Sequence, residues 1–365
     1  MPINISKKKV NSSIHRLKII AYLLNFQEEG FNVRVFYSLN EFKNFISNNS
    51  LETTVSVGNF DGIHRGHKLL LLKNVEIAKA TQTSSVVLTF DPHPVQFFTH
   101  QKNEFELLFS RVDQIEQLSL LNIDYLCIIK FNDEFSKIKA LDFLNILKND
   151  VKVKNLVLGS NFCFGLNREG TIDFIKNNIE LFNFHLEIQN LKQIDSHIVS
   201  TSNIKKMLKM GEVNMANRLL ERNFYITGVV QKGDQRGKSI GFPTANIISL
   251  KSKFLKCGVY KTRVSFIDSK MQHEQSVVSS QFYQTNQDSQ NLRIYSSITN
   301  LGFHPTFKLD SNMPIIETHI FDWTGDCYGE TIKVEFIEFL RPEMKFSGVE
   351  ELKQQIQKDI NRSKS

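Results

Sequence analysis

Residues 53–67 read TTVSVGNFDGIHRGH and combine a short strand, a glycine-containing turn and the start of a helix. Polar and apolar residues alternate in Thr53–Val57, which ends at Gly58. Apolar residues then recur with helical spacing from Lys68 to Lys79. Glycines let a backbone come close to a phosphate group, and the first N–H groups of a helix carry a partial positive charge. This stretch therefore predicts a strand–turn–helix unit with an anion site at the turn.

The alternation of strands and helices continues to about residue 158. Further strands are predicted at Ser85–Phe90, Tyr125–Ile129 and Asn155–Leu158, and further helices at Asp113–Leu121 and Ala140–Leu147. Repeated units of this kind predict a parallel sheet with right-handed crossovers, and a ligand crevice at the carboxyl ends of its strands.

The pattern changes after about residue 195. A helical stretch, Asn203–Leu220, is predicted to break near Gly211, and Val349–Ile360 is predicted as a closing amphipathic helix. Between them, short strands are predicted at Tyr225–Val230, Gly258–Phe266, Leu292–Thr299, Pro314–Phe321 and Thr331–Phe339. Many short strands without intervening helices predict an antiparallel barrel, and the polar stretch Asp268–Asn291 is expected to be an exposed loop or insertion.

Composition limits the classes of protein to which the chain can belong. The 45 Lys and Arg exceed the 38 Asp and Glu by 7, a mild excess that suits anionic ligands such as nucleotides without requiring a nucleic-acid groove. Four widely spaced cysteines and the lack of an apolar run of about 20 residues favour a soluble, cytoplasmic protein. The 30 phenylalanines are expected mostly in the core, including Phe97, Phe98, Phe131, Phe135 and Phe143. The first 27 residues are basic and free of acids, which fits a targeting peptide, a terminal extension or a start codon placed too early.

Two histidines stand at the start of the first helix. His64 and His67 are three residues apart, so both rings can reach one side of the first helical turn. Two imidazoles there can hold a triphosphate and stabilise the charge on a departing pyrophosphate. A capped structural turn, or a zinc site completed by His93, are the alternatives.

The same residues carry a family resemblance. The turn Gly58, Asn59, Phe60, Asp61, Gly62, followed by His64, Arg65, Gly66 and His67, resembles the nucleotidyltransferase signature. Together with Thr89-Phe90-Asp91-Pro92-His93-Pro94 it resembles the adenylyltransferase module of bacterial bifunctional riboflavin kinase/FAD synthetases. The resemblance implies that Gly58, Asn59, Phe60, Asp61 and Gly66 bind ATP, with His64 and His67 catalytic, and that Asp91 and His93 contact flavin or nucleotide.

Two later segments resemble the same module. Residues 158–170 include Asn161, Cys163 and Arg168 and are similar to its Gly-x-Asp-Phe-x-Phe-Gly segment, which implies flavin or nucleotide contacts for Asn161 and Arg168. Ser200, Thr201 and Ser202 are similar to its Ser-Ser-Thr segment, which contacts ATP phosphates. The chain departs from the family at Asn161, where Asp is usual, at Cys163, where Arg is usual, and at Asn203 and Lys205, where arginines are common.

A second phosphate site is predicted in the barrel. Gly233 and Gly237 enclose three residues instead of the four of a P-loop, so what remains is a glycine loop whose N–H groups can cover phosphates. Thr244 and Asn246 then place two short oxygen donors two residues apart, and such oxygens are plausible Mg²⁺ ligands.

These residues resemble riboflavin kinase. Pro243-Thr244-Ala245-Asn246 matches the signature of that family, and Asn300–Phe307 resembles one of its barrel strands. The resemblance implies that Thr244 and Asn246 hold the metal, that Gly233, Gly237 and Asn300 contact the nucleotide, and that Glu317 is the general base.

The resemblance as a whole implies an α/β nucleotidyltransferase domain with a Rossmann-like parallel sheet, followed by a small antiparallel β-barrel riboflavin kinase domain with a C-terminal helix. The expected limits are an extension at 1–30, the adenylyltransferase at 31–200, a helical connector at 201–222 and the kinase at 223–365. The chain is expected to convert riboflavin to FMN and FMN to FAD with ATP and Mg²⁺, without nucleic-acid or membrane partners. Two alternatives are a kinase with a degenerate adenylyltransferase domain, and a non-catalytic flavin- or RNA-binding regulator.

Overall fold

The computed structural model describes residues 32–99, 105–190, 193–194, 197–233, 236–267, 294–303 and 314–364. The basic N-terminal segment, the polar stretch 268–291 and residues 304–307 lie outside these ranges.

The first half of the chain alternates strands with helices. The strands are β1 (Arg34–Phe36), β2 (Thr53–Val57), β3 (Ser84–Asp91), β4 (Tyr125–Lys130), β5 (Val153–Gly159) and β6 (His185–Gln189). The helices are α1 (Leu39–Asn48), α2 (Arg65–Thr81), α3 (Pro94–Phe98), α4 (Arg111–Leu120), α5 (Ala140–Asn149) and α6 (Ile172–Phe182).

The described strands form one parallel sheet in the order β1-β4-β3-β2-β5-β6, which confirms the predicted α/β architecture. From β2 the chain moves outward through β3 and β4 on one side, and through β5 and β6 on the other. The point where the direction reverses lies between β2 and β5, and a ligand crevice is expected at the carboxyl ends of these strands.

Both faces of the sheet are covered, which explains why its central strand β2 is buried along its whole length. Phe42 of α1 and Phe143 of α5 belong to the apolar cluster on one face, together with Val55 of the sheet. Leu71 of α2 and Leu118 of α4 belong to the cluster on the other face. This burial on two sides is typical of doubly wound α/β folds.

A short hairpin and two helices lead to the second half. The hairpin pairs β7 (Gln193–Ile194) with β8 (His197–Ile198), and the helices are α7 (Thr201–Met210) and α8 (Val213–Leu220). Gly211 separates the helices with a φ of 84°, which confirms the predicted break. Ile204 of α7 and Leu219 of α8 share one apolar cluster with the strands that follow, so the helices pack against the second half of the chain.

The second half is an antiparallel barrel. Its strands are β9 (Phe224–Val229), β10 (Ala245–Ile248), β11 (Gly258–Ile267), β12 (Ile294–Gly302), β13 (Ile315–Ile320) and β14 (Thr331–Arg341), in the order β10-β13-β12-β11-β14-β9. A bridge between Gln231 and Asn246 joins the two edges and nearly closes the barrel. A single helical turn, α9 (Arg236–Ser239), lies in the loop before β10, and α10 (Val349–Lys364) ends the described chain. The predicted barrel and closing helix are confirmed.

A row of hydroxyl groups crosses the barrel interior. Thr262 bonds to Ser297 over 2.7 Å and to Thr299 over 2.8 Å, and Thr299 bonds to Thr318 over 2.9 Å. All four side chains are buried and bond to one another, as burial of a polar group requires. Because side chains alternate along a strand, the neighbours of Thr299 and Thr318 point to the outer face of the barrel.

The outer face is partly covered by the C-terminal helix. Val259, Ile298 and Leu340 of the strands form a small apolar cluster with Ile360 of α10. Asn246, Glu317 and Asn300 belong to the same outer face by alternation, next to this cluster. None of the helices in the described part of the chain is both long and apolar enough to cross a membrane.

One expectation about the core is wrong. Phe143 is buried, whereas Phe97, Phe131 and Phe135 are only partly buried and Phe98 is 60% exposed. These rings follow β3 and β4 at the carboxyl edge of the sheet, where the covering helices end and the crevice begins.

Candidate functional site

The turn after β2 has an unusual backbone. Phe60, Gly62 and Ile63 have φ values of 49°, 88° and 33°, in the left-handed region that favours glycine. The turn delivers the chain to His64, which caps α2, so the N-terminus of that helix lies at the carboxyl edge of the sheet. The predicted anion site therefore has its backbone elements in place.

His64 and His67 are stacked on each other at this helix start. Their ring centroids are 3.7 Å apart and nearly parallel, and His64 Nδ1 accepts a hydrogen bond of 3.3 Å from the His67 backbone N–H. Gly66 leaves room for this arrangement, because a Cβ there would lie 3.3 Å from the His64 ring. The structure thus brings the two predicted imidazoles together.

Burial keeps both rings neutral. It lowers the pKa of His64 to about 4, and the nearby Arg222 acts in the same direction. Burial also holds the pKa of His67 well below its usual range, with His64 and Arg222 adding to the effect. Since Nδ1 of neutral His64 accepts a hydrogen bond, its proton is on Nε2, which is a donor. The buried Nδ1 of His67 has no hydrogen-bond partner among the described residues.

Asp61 of the turn points toward α7. Its Oδ1 accepts a 2.8 Å hydrogen bond from the Leu108 N–H, and its Oδ2 lies 3.2 Å from Lys205 Nζ. Burial raises the pKa of this carboxyl, while Lys205 opposes the increase. Lys205 also donates to the Glu106 carbonyl over 2.6 Å, so its charge is engaged within the protein.

The serine and threonine segment meets the same turn. Ser200 caps α7 by accepting from the Asn203 N–H over 3.3 Å, and Thr201 Oγ1 donates to the Asp61 carbonyl over 2.6 Å. Ser202 is exposed. The two motifs are about 140 residues apart in the chain, and the fold places them side by side.

A pocket lies beside the turn. Asn59, Phe60, Asp61, Phe90, His93 and Arg111 are among the residues that line it. Arg111 was missed by sequence reasoning, because it lies outside every motif that carries the family resemblance. Its guanidinium group donates to the Phe90 carbonyl over 3.1 Å and lies 3.9 Å from Asp91.

The other predicted contacts are spread along the crevice. His93 caps α3, its ring lies 4.4 Å from that of Phe105, and burial lowers its pKa to about 4. Asp91 ends β3 and is exposed. Asn161 and Arg168 are exposed in the loop after β5, on the other side of the point where the sheet reverses direction.

An aromatic patch lies next to the pocket. Phe97, Phe98 and Phe131 form a triangle with centroid distances of 5.2 to 5.7 Å, and Phe90 and Phe135 continue it. A signal for it was present in the sequence, because Phe97-Phe98 follows the Asp-Pro-His-Pro segment at the end of β3. A partly exposed aromatic surface of this kind suits a planar ring system.

A second candidate site lies on the outer face of the barrel. Glu317 of β13 is the register partner of Asn246 on β10 and of Asn300 on β12, so the three residues form one row across three strands. Directly opposite residues in antiparallel strands are about 5 Å apart. The structure therefore brings three of the predicted kinase residues together.

The Thr244–Asn246 corner is held from two sides. His319 of β13 has its Nδ1 2.8 Å from the Pro243 carbonyl. This contact holds the turn before Thr244 against β13. Gly233 faces the Asn246 amide so closely that a Cβ there would overlap it, and a Cβ on Gly237 would contact the Thr244 methyl at 3.5 Å. The two loop glycines thus lie against the two predicted metal ligands.

The Asn246 side chain has the properties expected of a metal ligand. Its side chain is 8% exposed, and its buried Oδ1 has no hydrogen-bond partner among the described residues. An amide oxygen of this kind fits a hard cation such as Mg²⁺. No group of three or more His, Cys, Asp and Glu side chains that could hold a metal occurs in the described ranges.

Comparisons with known proteins agree with this arrangement. Residues 46–203 match the sequence profile of the FAD synthetase family, and residues 220–365 match that of riboflavin kinase. The bifunctional riboflavin kinase/FMN adenylyltransferase of Buchnera aphidicola from Schizaphis graminum is 32% identical over 84% of this chain and 92% of its own length. The protein of the same name from Bacillus subtilis is 30% identical over 86% of this chain and 92% of its own length.

A solved structure has the same overall fold. The crystal structure described as a macrolide-efflux protein from Streptococcus pneumoniae superposes with a TM-score of 0.75, covering 91% of this chain and 99% of that one at 23% identity. Two family profiles in one chain, together with relatives that share almost their full length with it, lead to one conclusion. The chain belongs to the family of bifunctional riboflavin kinases/FMN adenylyltransferases.

Proposed function

We propose that the chain phosphorylates riboflavin to FMN at the barrel and then adenylylates FMN to FAD at the parallel sheet, with ATP as the donor in both reactions. The observation that supports this proposal is that the fold assembles two separate candidate sites in one chain. One is the stacked pair His64 and His67 at a helix start, and the other is the row Asn246, Glu317 and Asn300 on the barrel.

At the barrel, Glu317 accepts the proton of the ribityl 5′-hydroxyl as that oxygen attacks the γ-phosphorus of ATP, and ADP leaves. A carboxylate within hydrogen-bond reach is sufficient, because phosphoryl transfer depends mainly on positioning and charge neutralisation. Gly233 and Gly237 cover the phosphates with backbone N–H groups, and Asn300 contacts the nucleotide.

Thr244 and Asn246 are the residues that hold Mg²⁺. The unpartnered Oδ1 of Asn246 and the hydroxyl of Thr244 fit a cation that takes few protein ligands beside water and phosphate oxygens. When bound there, Mg²⁺ supplies positive charge that neutralises the phosphate oxygens.

At the parallel sheet, a phosphate oxygen of FMN attacks the α-phosphorus of ATP, and pyrophosphate leaves. The nucleophile is already an anion, so no strong base is needed. The N–H groups at the start of α2 and the Nε2–H of His64 stabilise the triphosphate and the leaving pyrophosphate, with His67 supporting the ring of His64. Gly58, Asn59, Phe60, Asp61 and Gly66 shape this phosphate site, and Ser200, Thr201 and Ser202 border it.

The flavin ring of FMN is proposed to lie on the aromatic patch formed by Phe97, Phe98 and Phe131. An exposed Phe98 beside the pocket supports this placement, since the ring would bury it. Asp91 and His93, at the end of β3, and Asn161 and Arg168, after β5, then flank the flavin and nucleotide from either side.

The kinase-only alternative is tested by product analysis. Purified protein is incubated with riboflavin, ATP and Mg²⁺, and FMN and FAD are resolved by chromatography. FAD formation supports both reactions, whereas FMN that accumulates without FAD supports the alternative, in which Asn161, Cys163 and Asn203 mark a degenerate domain. Tight flavin or RNA binding without either product would support the regulator. The domain limits, the absence of nucleic-acid and membrane partners, and a cytoplasmic location belong to the same proposal.

A further inference from the structure

Every carbonyl of the turn from Asn59 to Ile63 accepts a hydrogen bond from a side chain elsewhere in the fold. Gln114 Nε2 donates to Asn59 over 3.1 Å and to Phe60 over 3.4 Å. The next carbonyl, that of Asp61, accepts from Thr201, as described above.

Arg222 holds the last two carbonyls of the turn. Its Nη2 donates to the Gly62 carbonyl over 2.5 Å, and its Nη1 donates to the Ile63 carbonyl over 3.0 Å. The side chain is only 9% exposed, and its guanidinium carbon lies 4.5 Å from the Phe109 ring. One planar guanidinium group thus fixes two consecutive peptide groups, a geometry that a lysine ammonium cannot reproduce.

These contacts to the carbonyl groups also set the direction of the N–H group in each peptide unit. In a trans peptide the N–H points away from the carbonyl of the preceding residue. Holding the Gly62 and Ile63 carbonyls on Arg222 therefore turns the N–H groups of Ile63 and His64 to the other side. The position of His64, and with it the start of α2, depends on this orientation.

The backbone at this point needs an external restraint. Ile63 is β-branched and has a φ of 33°, a conformation that such residues rarely adopt and that costs about 1–3 kcal/mol. A strained residue keeps its conformation only where its surroundings determine it, and the two bonds from Arg222 act on either side of Ile63's N–Cα–C unit.

Arg222 lies between the last connecting helix and the first strand of the barrel. It lies beyond the segment 46–203 that matches FAD synthetase and inside the segment 220–365 that matches riboflavin kinase. It follows α8 by two residues and precedes β9 by two. The adenylyltransferase turn is therefore anchored by a residue of the kinase segment.

We propose that Arg222 is a positioning residue for FMN adenylylation, which holds the Gly62–Ile63 turn so that the start of α2 and His64 meet the phosphates of ATP. This inference rests on the proposed function of the parallel-sheet site. It adds that the site is incomplete without the first residues of the kinase segment.

The test uses the full chain with Arg222→Lys, Arg222→Met and Arg222→Ala, and with Arg218→Lys and Arg218→Met as matched controls. Arg218 is an exposed arginine one helical turn earlier, at the end of α8. Adenylation of FMN, pyrophosphorolysis of FAD and phosphorylation of riboflavin are measured separately on each protein.

We expect Arg222→Met to lower kcat/KM for ATP in adenylation by about 100-fold, because small displacements of catalytic groups have effects of this size. The KM for pyrophosphate in the reverse reaction rises, while the KM for FMN and the riboflavin kinase constants stay at their wild-type values. Arg222→Lys falls between Arg222→Met and the wild type, and methylguanidinium added to Arg222→Ala restores part of the adenylation rate. Both Arg218 variants retain both reactions.

Wild-type adenylation constants in Arg222→Met would overturn the inference. Equal loss of both reactions in the milder Arg222→Lys would overturn it as well, since that pattern indicates a general structural role. Failure of the wild-type chain to adenylate FMN is a different result, because it contradicts the proposed function of the sheet rather than the role of Arg222.

Discussion

Asn246 and Glu317 are directly opposite each other in the antiparallel pairing of β10 with β13, and both side chains belong to the outer face of the barrel. A carboxylate and a buried, unpartnered amide oxygen are thus neighbours. This pairing places a candidate proton acceptor beside a candidate metal ligand, away from the histidines of the parallel sheet. We therefore expect mutations at the two sites to affect the two reactions separately.

Glu317→Gln is expected to lower FMN formation from riboflavin by about 100-fold or more, the usual contribution of a general base. Conversion of supplied FMN to FAD stays near the wild-type rate, because Glu317 lies in the barrel and not at the parallel sheet where that reaction is proposed to occur. Chromatography of both products measures this, with Glu338→Gln on β14 as a control carboxylate. An unchanged kinase rate would remove Glu317 from the mechanism.

His67→Ala is expected to show the opposite pattern, with adenylation lowered by about 100-fold and riboflavin phosphorylation retained. His64→Asn gives a sharper test. Asn is a good helix N-cap, so the start of α2 is kept, but the Nε2–H donor is lost. If His64→Asn formed FAD at the wild-type rate, the proposed donor role of that ring would be wrong.

Asn246→Ala is expected to raise the Mg²⁺ concentration that gives half-maximal kinase activity by about tenfold or more, because even the loss of a residue that only supports a metal ligand has effects of this size. The Oδ1 atom has no protein partner in the described structure, so its removal breaks no hydrogen bond there. Kinase rates over a Mg²⁺ titration measure the effect, with Asn361→Ala on α10 as control. A titration curve identical to that of the wild type would contradict the metal assignment.

Phe98→Ala is expected to raise the KM for FMN in adenylation by about fivefold, from the loss of one aromatic contact. Stability changes little, because Phe98 is 60% exposed. Leu181→Ala is a suitable control, since Leu181 is also exposed, at 67%, but lies on α6. A raised KM for riboflavin in the kinase reaction, with no change for FMN, would place the flavin elsewhere.

Folding stability is expected to fall on acidification through the buried imidazoles. The pKa of His64 is about 4 in the folded chain and 6.5 as the ordinary value, so the unfolded chain binds more protons between these limits. Above about pH 6.5 the ring is neutral in both the folded and the unfolded chain and does not affect the free energy of unfolding. As the pH falls toward 4, protonation of the unfolded chain lowers that free energy by roughly 3 kcal/mol in total. Urea unfolding at several pH values measures the free energy. His64→Asn should reduce the slope, and an unchanged slope would contradict burial of a neutral ring.

Much of the fold follows from local pattern. Strand β2 has the predicted limits, Thr53–Val57, because a short apolar run before a glycine turn is a strong signal. The break at Gly211 was also predictable, since glycine readily adopts the left-handed conformation that ends a helix. Strand β10 was not predicted, because Pro243 and Asn246 are residue types that favour turns, whereas pairing with β13 includes Ala245–Ile248 in the barrel.

The candidate sites were predictable to a smaller degree. Motif residues such as His64 and Glu317 stand out by sequence. Arg222 and Arg111 do not stand out, because each acts on backbone carbonyls distant in the chain. The exposure of Phe98 was likewise hidden, since composition indicates how many phenylalanines there are and not which of them lie at an edge.

The hydroxyl row of Thr262, Ser297, Thr299 and Thr318 has a consequence for the kinase face. A slip of one residue between β12 and β13 would break these bonds and drive Glu317 into the apolar interior, because side chains alternate along a strand. The buried hydroxyls therefore stabilise one register of β12 and β13, because any other register would lose their hydrogen bonds. Their replacement by valines would retain a barrel but leave the outward-facing carboxylate free to lose its alignment with the neighbouring asparagines.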